Sequence, residues 1–123
     1  MRNLLFRLQT VYAHCDIPCG IYDPRGAQLA ALTIIRMIDL ITESSDTHQI
    51  ARCVAVKEEN AELCKKEVRI IWGDYFKEEH FKKYPNLHDL AHDIMQAASS
   101  ARQGVDRKSG ERLLDLVNQL SAI

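Results

Sequence analysis

Six residues near the N-terminus, His14-Cys15-Asp16-Ile17-Pro18-Cys19, gather one imidazole and two thiols. Thiolates beside nitrogen donors suit zinc, copper or nickel and do not suit magnesium or calcium. As a tetrahedral zinc site the loop supplies three side chains and needs a fourth from elsewhere. A reversible disulfide between Cys15 and Cys19 is equally open, because a bent loop can bring their sulfurs together. A transition-metal hook is the third reading.

That third reading takes a specific form if the chain is cut between Ala13 and His14. His14 would then carry a free α-amine, whose ordinary pKa near ~8 lets a metal displace the proton. The amine, the deprotonated amide nitrogen of Cys15 and the Cys15 thiolate would form five-membered chelate rings, and the Cys19 thiolate would close the square. Removing an amide proton demands a strong square-planar preference, which favours Ni(II) or Cu(II) over zinc. The His14 ring remains as an axial ligand, so that a square-planar Ni(II) site could become five-coordinate Ni(III).

The remaining candidates carry less chemistry. His88 and His92 stand at i and i+4 on a helical stretch, but no HExxH glutamate and no third ligand lies nearby in sequence. They read as solvated or capping side chains. His80 reads as a packing residue, and His48 falls in a first helical turn, where the dipole disfavours an imidazolium. Cys53 and Cys64 share one predicted helix, which sets them roughly 16 Å apart, beyond the reach of a disulfide. They are expected to be buried thiols. The absence of a disulfide framework fits a reducing, cytoplasmic compartment.

Elements must position the hook. The 123 residues fit one domain, and 46% hydrophobic with 27% charged residues describes a globular chain. Sixteen basic against seventeen acidic side chains argue against nucleic-acid binding. No apolar run approaches the roughly 18 residues of a membrane span. Residues 1–13, MRNLLFRLQTVYA, look like a short basic leader, too short in its apolar part for a secretory signal. Removing Arg2 and Arg7 with it would leave 14 basic against 17 acidic side chains, a net of −3 before the new amine is counted.

After the loop, Asp23 is the expected N-cap and Pro24 the first residue of a helix running to Glu43. Its sequence is apolar nearly all round, with Thr33, Arg36 and Asp39 as a narrow polar strip, which predicts contact with a second subunit as well as the core. Asp46 and Gln49 predict a capping box for a second helix. Its stripe of Ile50, Val54, Lys57, Ala61, Cys64, Val68, Ile71 and Tyr75 alternates steps of four and three. Residues 74–83, DYFKEEHFKK, are expected to be a turn-rich connector. Asn86 should cap a third long helix with Leu87, Ala91, Ile94, Ala98 and Ala101 inward, ended by Gly104. Asp106 or Ser109 should start the last, with Leu113, Leu116, Val117 and Leu120 inward. The predicted architecture is all-α, an antiparallel four-helix bundle behind an N-terminal loop.

HCDIPCGIYDP resembles the nickel hook of the nickel-containing superoxide dismutases, H-C-x-x-P-C-G-x-Y behind a cleaved propeptide. WGDYFKEEHFKKYPNLHDL is similar to a second segment of that family, so the resemblance spans nearly the whole chain after Ala13. It implies a leader at 1–13 removed by a processing protease and a dismutase domain at 14–123. It implies that His14 gives nickel its amine and axial imidazole, Cys15 its amide nitrogen and thiolate, and Cys19 its thiolate. Pro18, on a cis bond in the family, would set the turn and Asp16 would fix the loop, while Tyr22 and Tyr75 would limit access to the metal. The implied assembly is a homohexamer and the implied reaction is disproportionation of superoxide to dioxygen and hydrogen peroxide. Where some members place a glutamate and an arginine to hold the axial imidazole, this chain has Ala30 and Asn60, which reads as a coupled replacement. Lys77, Lys82 and Lys83 are candidates for local steering of the anion, against the simpler reading of a solvated charged connector.

Overall fold

The computed structural model describes residues 20–123, and among these the chain forms helices and no strands. The α-helices are α1 (Arg25–Glu43), α2 (Thr47–Ile70), α3 (Glu78–Lys83), α4 (Leu87–Gln103) and α5 (Arg107–Ser121). α1 packs against α2 and α5, and α4 packs against the same two. Short connections at residues 44–46 and 104–106 reverse the chain, so packed neighbours run antiparallel and the four long helices form the expected bundle.

The core arises from spacing. Ala27, Ala30, Ala31, Ile34, Ile35 and Ile38 recur every three or four residues along α1 and are buried. Except for Ile35, they share one core cluster with Leu113, Leu116, Val117 and Leu120 of α5 and with Leu87, Leu90, Ile94, Ala97, Ala98 and Ala101 of α4. Each fully buried leucine or isoleucine contributes about 1.5–3 kcal/mol relative to exposure. Leu29 and Leu32 point away from this core and stay 67% and 50% exposed. The surplus apolar character read from the sequence of α1 is therefore real.

Helix starts match expectation in place more than in chemistry. Pro24 already has helical dihedrals and its carbonyl accepts from Gln28 N, while Asp23 Oδ1 accepts from Arg25 N at 2.9 Å. Asp46 caps α2 by accepting from His48 N at 3.0 Å. Gln49 does not complete a capping box: its Oε1 accepts from the hydroxyl of Ser44. Asn86 occupies the N-cap position of α4 without a side-chain cap. Gly104 ends α4, and Asp106 starts α5 by accepting from Lys108 N.

Lys57 is the polar member of the α2 stripe and is only 2% exposed. Its ammonium reaches the carboxyl end of α4, where the last carbonyls lack helical partners. Burial lowers the Lys57 pKa from its ordinary value. Ile50 and Val54 are half-buried, and the stripe is fully buried from Lys57 to Ile71.

Beyond Ile70 the sequence expectation needs correcting. Ile71–Tyr75 form a π-helical turn, closed by Phe76 N donating to Ile71 O at 3.1 Å, and residues 78–83 are the helix α3. The widened turn holds one more residue than an α-turn and shifts the register of the residues beyond it. Tyr75 therefore leaves the stripe and stands 46% exposed at the end of the bundle.

Candidate metal centre

His14, Cys15, Asp16, Pro18 and Cys19 lie outside the described residues, as do the leader and its boundary at Ala13. The described chain begins at Gly20, which has φ 66°. That left-handed conformation is natural for glycine and strained for other residues.

Two residues later, Tyr22 meets Tyr75. Their ring centroids are 5.3 Å apart and the planes are inclined by 38°, within the range of favourable aromatic pairs. The two tyrosines that the family resemblance sets beside the metal are thus brought together, Tyr22 from the segment before α1 and Tyr75 from the π turn. Tyr22 and Tyr75 line a cavity of about 170 Å³ with Pro24, Ile71, Phe76, Leu120, Ser121 and Ile123. This volume has room for several water molecules or a diatomic anion.

Sequence reasoning did not find the second ring of support. His80 packs on Tyr75, centroids 5.4 Å apart, and on Phe76 at the same separation. Its Nδ1 accepts from Lys77 N at 2.8 Å, which caps α3. The available signal was the crowding of aromatics in DYFKEEHF. It gave no hint that α3 would fold His80 back onto Tyr75.

The charges near the tyrosines are largely local. Lys82 Nζ pairs with Glu78 Oε1 at 3.0 Å across one turn, and Lys83 Nζ lies over the Tyr84 ring at 5.4 Å. Both are exposed, which matches a solvated helix face. Lys77 gives its backbone N–H to His80.

Other sequence candidates settle into structural roles. His88 Nδ1 accepts from Trp72 Nε1 at 3.1 Å and the His88 ring stacks on Phe81 at 4.0 Å. His92 is exposed, and among the described residues no three His, Cys, Asp or Glu side chains gather as a metal site. Cys53 and Cys64 are free and buried. Burial, assisted by the negative charge of Glu67, pushes the Cys64 thiol up to about 12. Ala30 is 1% exposed in the core, and Asn60 Nδ2 donates back to the carbonyl of Val56 on its own helix.

Comparison with known proteins places this arrangement. The family model for nickel-containing superoxide dismutase matches residues 9–123. The chain is 41% identical over 114 residues to a Superoxide dismutase [Ni] of Streptomyces coelicolor, covering 93% of this chain and 87% of that protein. It is 38% identical over 113 residues to the protein of the same name from Streptomyces seoulensis, covering 92% and 86%. A native nickel superoxide dismutase structure superposes with a TM-score of 0.86 at 39% identity, covering 89% of this chain and 94% of that one. An apo nickel superoxide dismutase structure gives 0.82 at 37% identity, with 84% and 93% covered. The alternative of a non-catalytic zinc or thiol-switch bundle finds no support in these matches. Matched over nearly its whole length, with a tyrosine-walled cavity at the end of its four-helix bundle, this chain belongs to the nickel-containing superoxide dismutases.

Proposed function

We propose that this chain disproportionates superoxide to dioxygen and hydrogen peroxide at a nickel-binding hook formed by His14, Cys15 and Cys19. The observation that carries the reading is the family match over residues 9–123, which contains the complete donor set. The donors fit the ion: the two thiolates of Cys15 and Cys19, the Cys15 amide nitrogen and the amine and imidazole of His14 would hold nickel, a donor set that suits it better than zinc. Gly20 and the Tyr22–Tyr75 pair fit it as well, since they bring the chain beyond Cys19 against a cavity of small-molecule size.

When bound, nickel supplies one-electron oxidation and reduction, with thiolate donation bringing its higher oxidation state within reach. The protein does the rest. Pro18 would set the turn of the hook, and Asp16 would help fix the loop. Tyr22 and Tyr75 narrow the approach, so that superoxide enters and larger reductants do not. Phe76, Ile71 and Leu120, buried behind the tyrosines, keep the wall rigid.

On this reading residues 1–13 are a propeptide and residues 14–123 the working domain, because the α-amine of His14 exists only after cleavage. A processing protease is then an obligatory partner. A homohexamer is the proposed assembly, supported by the exposed Leu29 and Leu32 of α1. A cytoplasmic location is proposed from the free thiols Cys53 and Cys64. Among the described residues no helix is long and apolar enough to cross a membrane.

The test compares the full chain with a chain beginning at His14, measuring intact mass, nickel content and superoxide dismutation. Only the form starting at His14 should bind nickel stoichiometrically and turn over. An active enzyme that retains Met1 to Ala13 overturns the proposal.

A further inference from the structure

Tyr75 is the less anchored member of the tyrosine pair. It is 46% exposed, at the end of a π turn, and its ring has three aromatic neighbours: Tyr22 at 5.3 Å, Phe76 at 5.5 Å and His80 at 5.4 Å. Tyr22 lies on the hook side. Phe76, its chain neighbour, is 5% exposed and belongs to the core. His80 alone comes from another element, α3, and touches both Tyr75 and Phe76.

The His80 ring has little freedom. Lys77 N donates to Nδ1 at 2.8 Å, which satisfies one of the orphan donors of the first turn of α3. Nδ1 therefore acts as an acceptor, and in the neutral ring the proton sits on Nε2. The same hydrogen bond fixes the ring plane, which is inclined by 36° to Tyr75 and by 63° to Phe76. A half-exposed tyrosine is thus backed by a ring that is itself clamped to a helix start and wedged on a core phenylalanine.

We propose that His80 is a positioning residue: its ring, locked by the Lys77 N–H, holds the ring of Tyr75 against Tyr22 and so sets the width of the approach to the hook. This rests on the reading that Tyr75 borders the reaction site. His80 does not touch the reacting atoms on this account, and acts only through Tyr75.

Two substitutions separate the ring from the cap. His80→Asn places an acceptor near the position of Nδ1 and removes the ring. His80→Phe keeps a ring and removes the acceptor. The first readout is the spectrum of ring-labelled tyrosine in the full chain, where Tyr75 is one of four tyrosines and is assigned by its loss in Tyr75→Phe. The second is saturation kinetics with superoxide on the processed, nickel-loaded enzyme.

In His80→Asn the Tyr75 ring signals should move towards solvent-exposed positions, and kcat/KM should fall about two- to tenfold, the rate equivalent of one aromatic contact, with kcat unchanged. His80→Phe should return the Tyr75 signals and most of kcat/KM. Wild-type Tyr75 signals in His80→Asn overturn the proposal, since the cap and not the ring would then be responsible, and so does a His80→Phe protein that loses them equally, since a ring at this position would then not be what holds Tyr75. If the signals move as expected while Tyr75→Ala retains wild-type kinetics, the siting of Tyr75 beside the reaction falls and the hold of His80 on Tyr75 stands.

Discussion

Lys57 Nζ on α2 donates at 2.7 Å to the carbonyl oxygen of Gly104, the residue that closes α4. The same ammonium donates to Ala101 O at 3.0 Å and to Arg102 O, so one buried charge satisfies three carbonyls at a helix end where the macrodipole is negative. A lysine in an apolar stripe is thereby explained: its stem packs like a methionine and its head is a cap.

Lys57→Met should keep the packing and strip the cap. Three carbonyls, one buried and two partly buried, would lose their charged donor, and the expected loss is about 3 kcal/mol. Denaturant unfolding measures it, together with faster amide exchange at the end of α4. An unchanged midpoint would mean that the cap contributes nothing net.

Cys64 predicts an alkaline weakness. Burial, which penalises the thiolate, pushes its thiol up to about 12 from an ordinary 9.0. The folded state therefore holds its proton more tightly than the unfolded chain. Stability from this group is complete below the unfolded pKa and falls as pH rises from 9 towards 12, by about 3 kcal/mol near pH 11. Cys64→Ala should be less stable at neutral pH through lost packing, yet show a flatter decline above pH 9 in urea titrations.

Gly110 and Gly73 should respond to alanine with opposite signs. A Cβ on Gly110 would lie 2.8 Å from Ile35 Cγ1, where α5 crosses α1 closely, whereas a Cβ on Gly73 meets nothing within 4 Å. Gly110→Ala should cost roughly 1–2 kcal/mol after the gain in helix propensity is counted. Gly73→Ala should stabilise by about 0.5 kcal/mol or slightly more. Paired thermal melts decide between them.

Ala30 and Asn60 should behave as a coupled pair. Ala30→Glu alone puts a carboxylate at a position 1% exposed and should cost about 3 kcal/mol or more. Adding Asn60→Arg should recover part of that loss, a non-additivity visible in a double-mutant cycle. Strict additivity would show that the two positions do not communicate.

The bundle was legible because its signals are local. Steps of three and four mark Leu87, Ala91, Ile94, Ala98 and Ala101 as one face whatever lies opposite, and all five are buried. Tyr75 shows where that logic stops. It continues the spacing of the α2 stripe, but a turn widened at Ile71–Tyr75 changes the register, and a shift of hydrogen bonding from four to five residues leaves no periodic trace. The hook was legible in residue types, whereas the pairing of Tyr22 with Tyr75 was legible through the family resemblance alone. His80 stayed hidden because its role depends on α3, a helix of six residues whose start is capped by its own third side chain.

The cavity beneath the tyrosines is walled in part by Leu120, Ser121 and Ile123, so the last residues of this sequence and the segment following the hook share one small space. Anything fused after Ile123 begins at that wall, and anything left before His14 occupies the proposed amine. An affinity handle or fluorophore at either end would therefore be an intervention in the site. Attachment away from the site belongs at the opposite end of the bundle, in the turn at residues 44–46; the turn at 104–106 lies there too but carries the Gly104 carbonyl that holds Lys57.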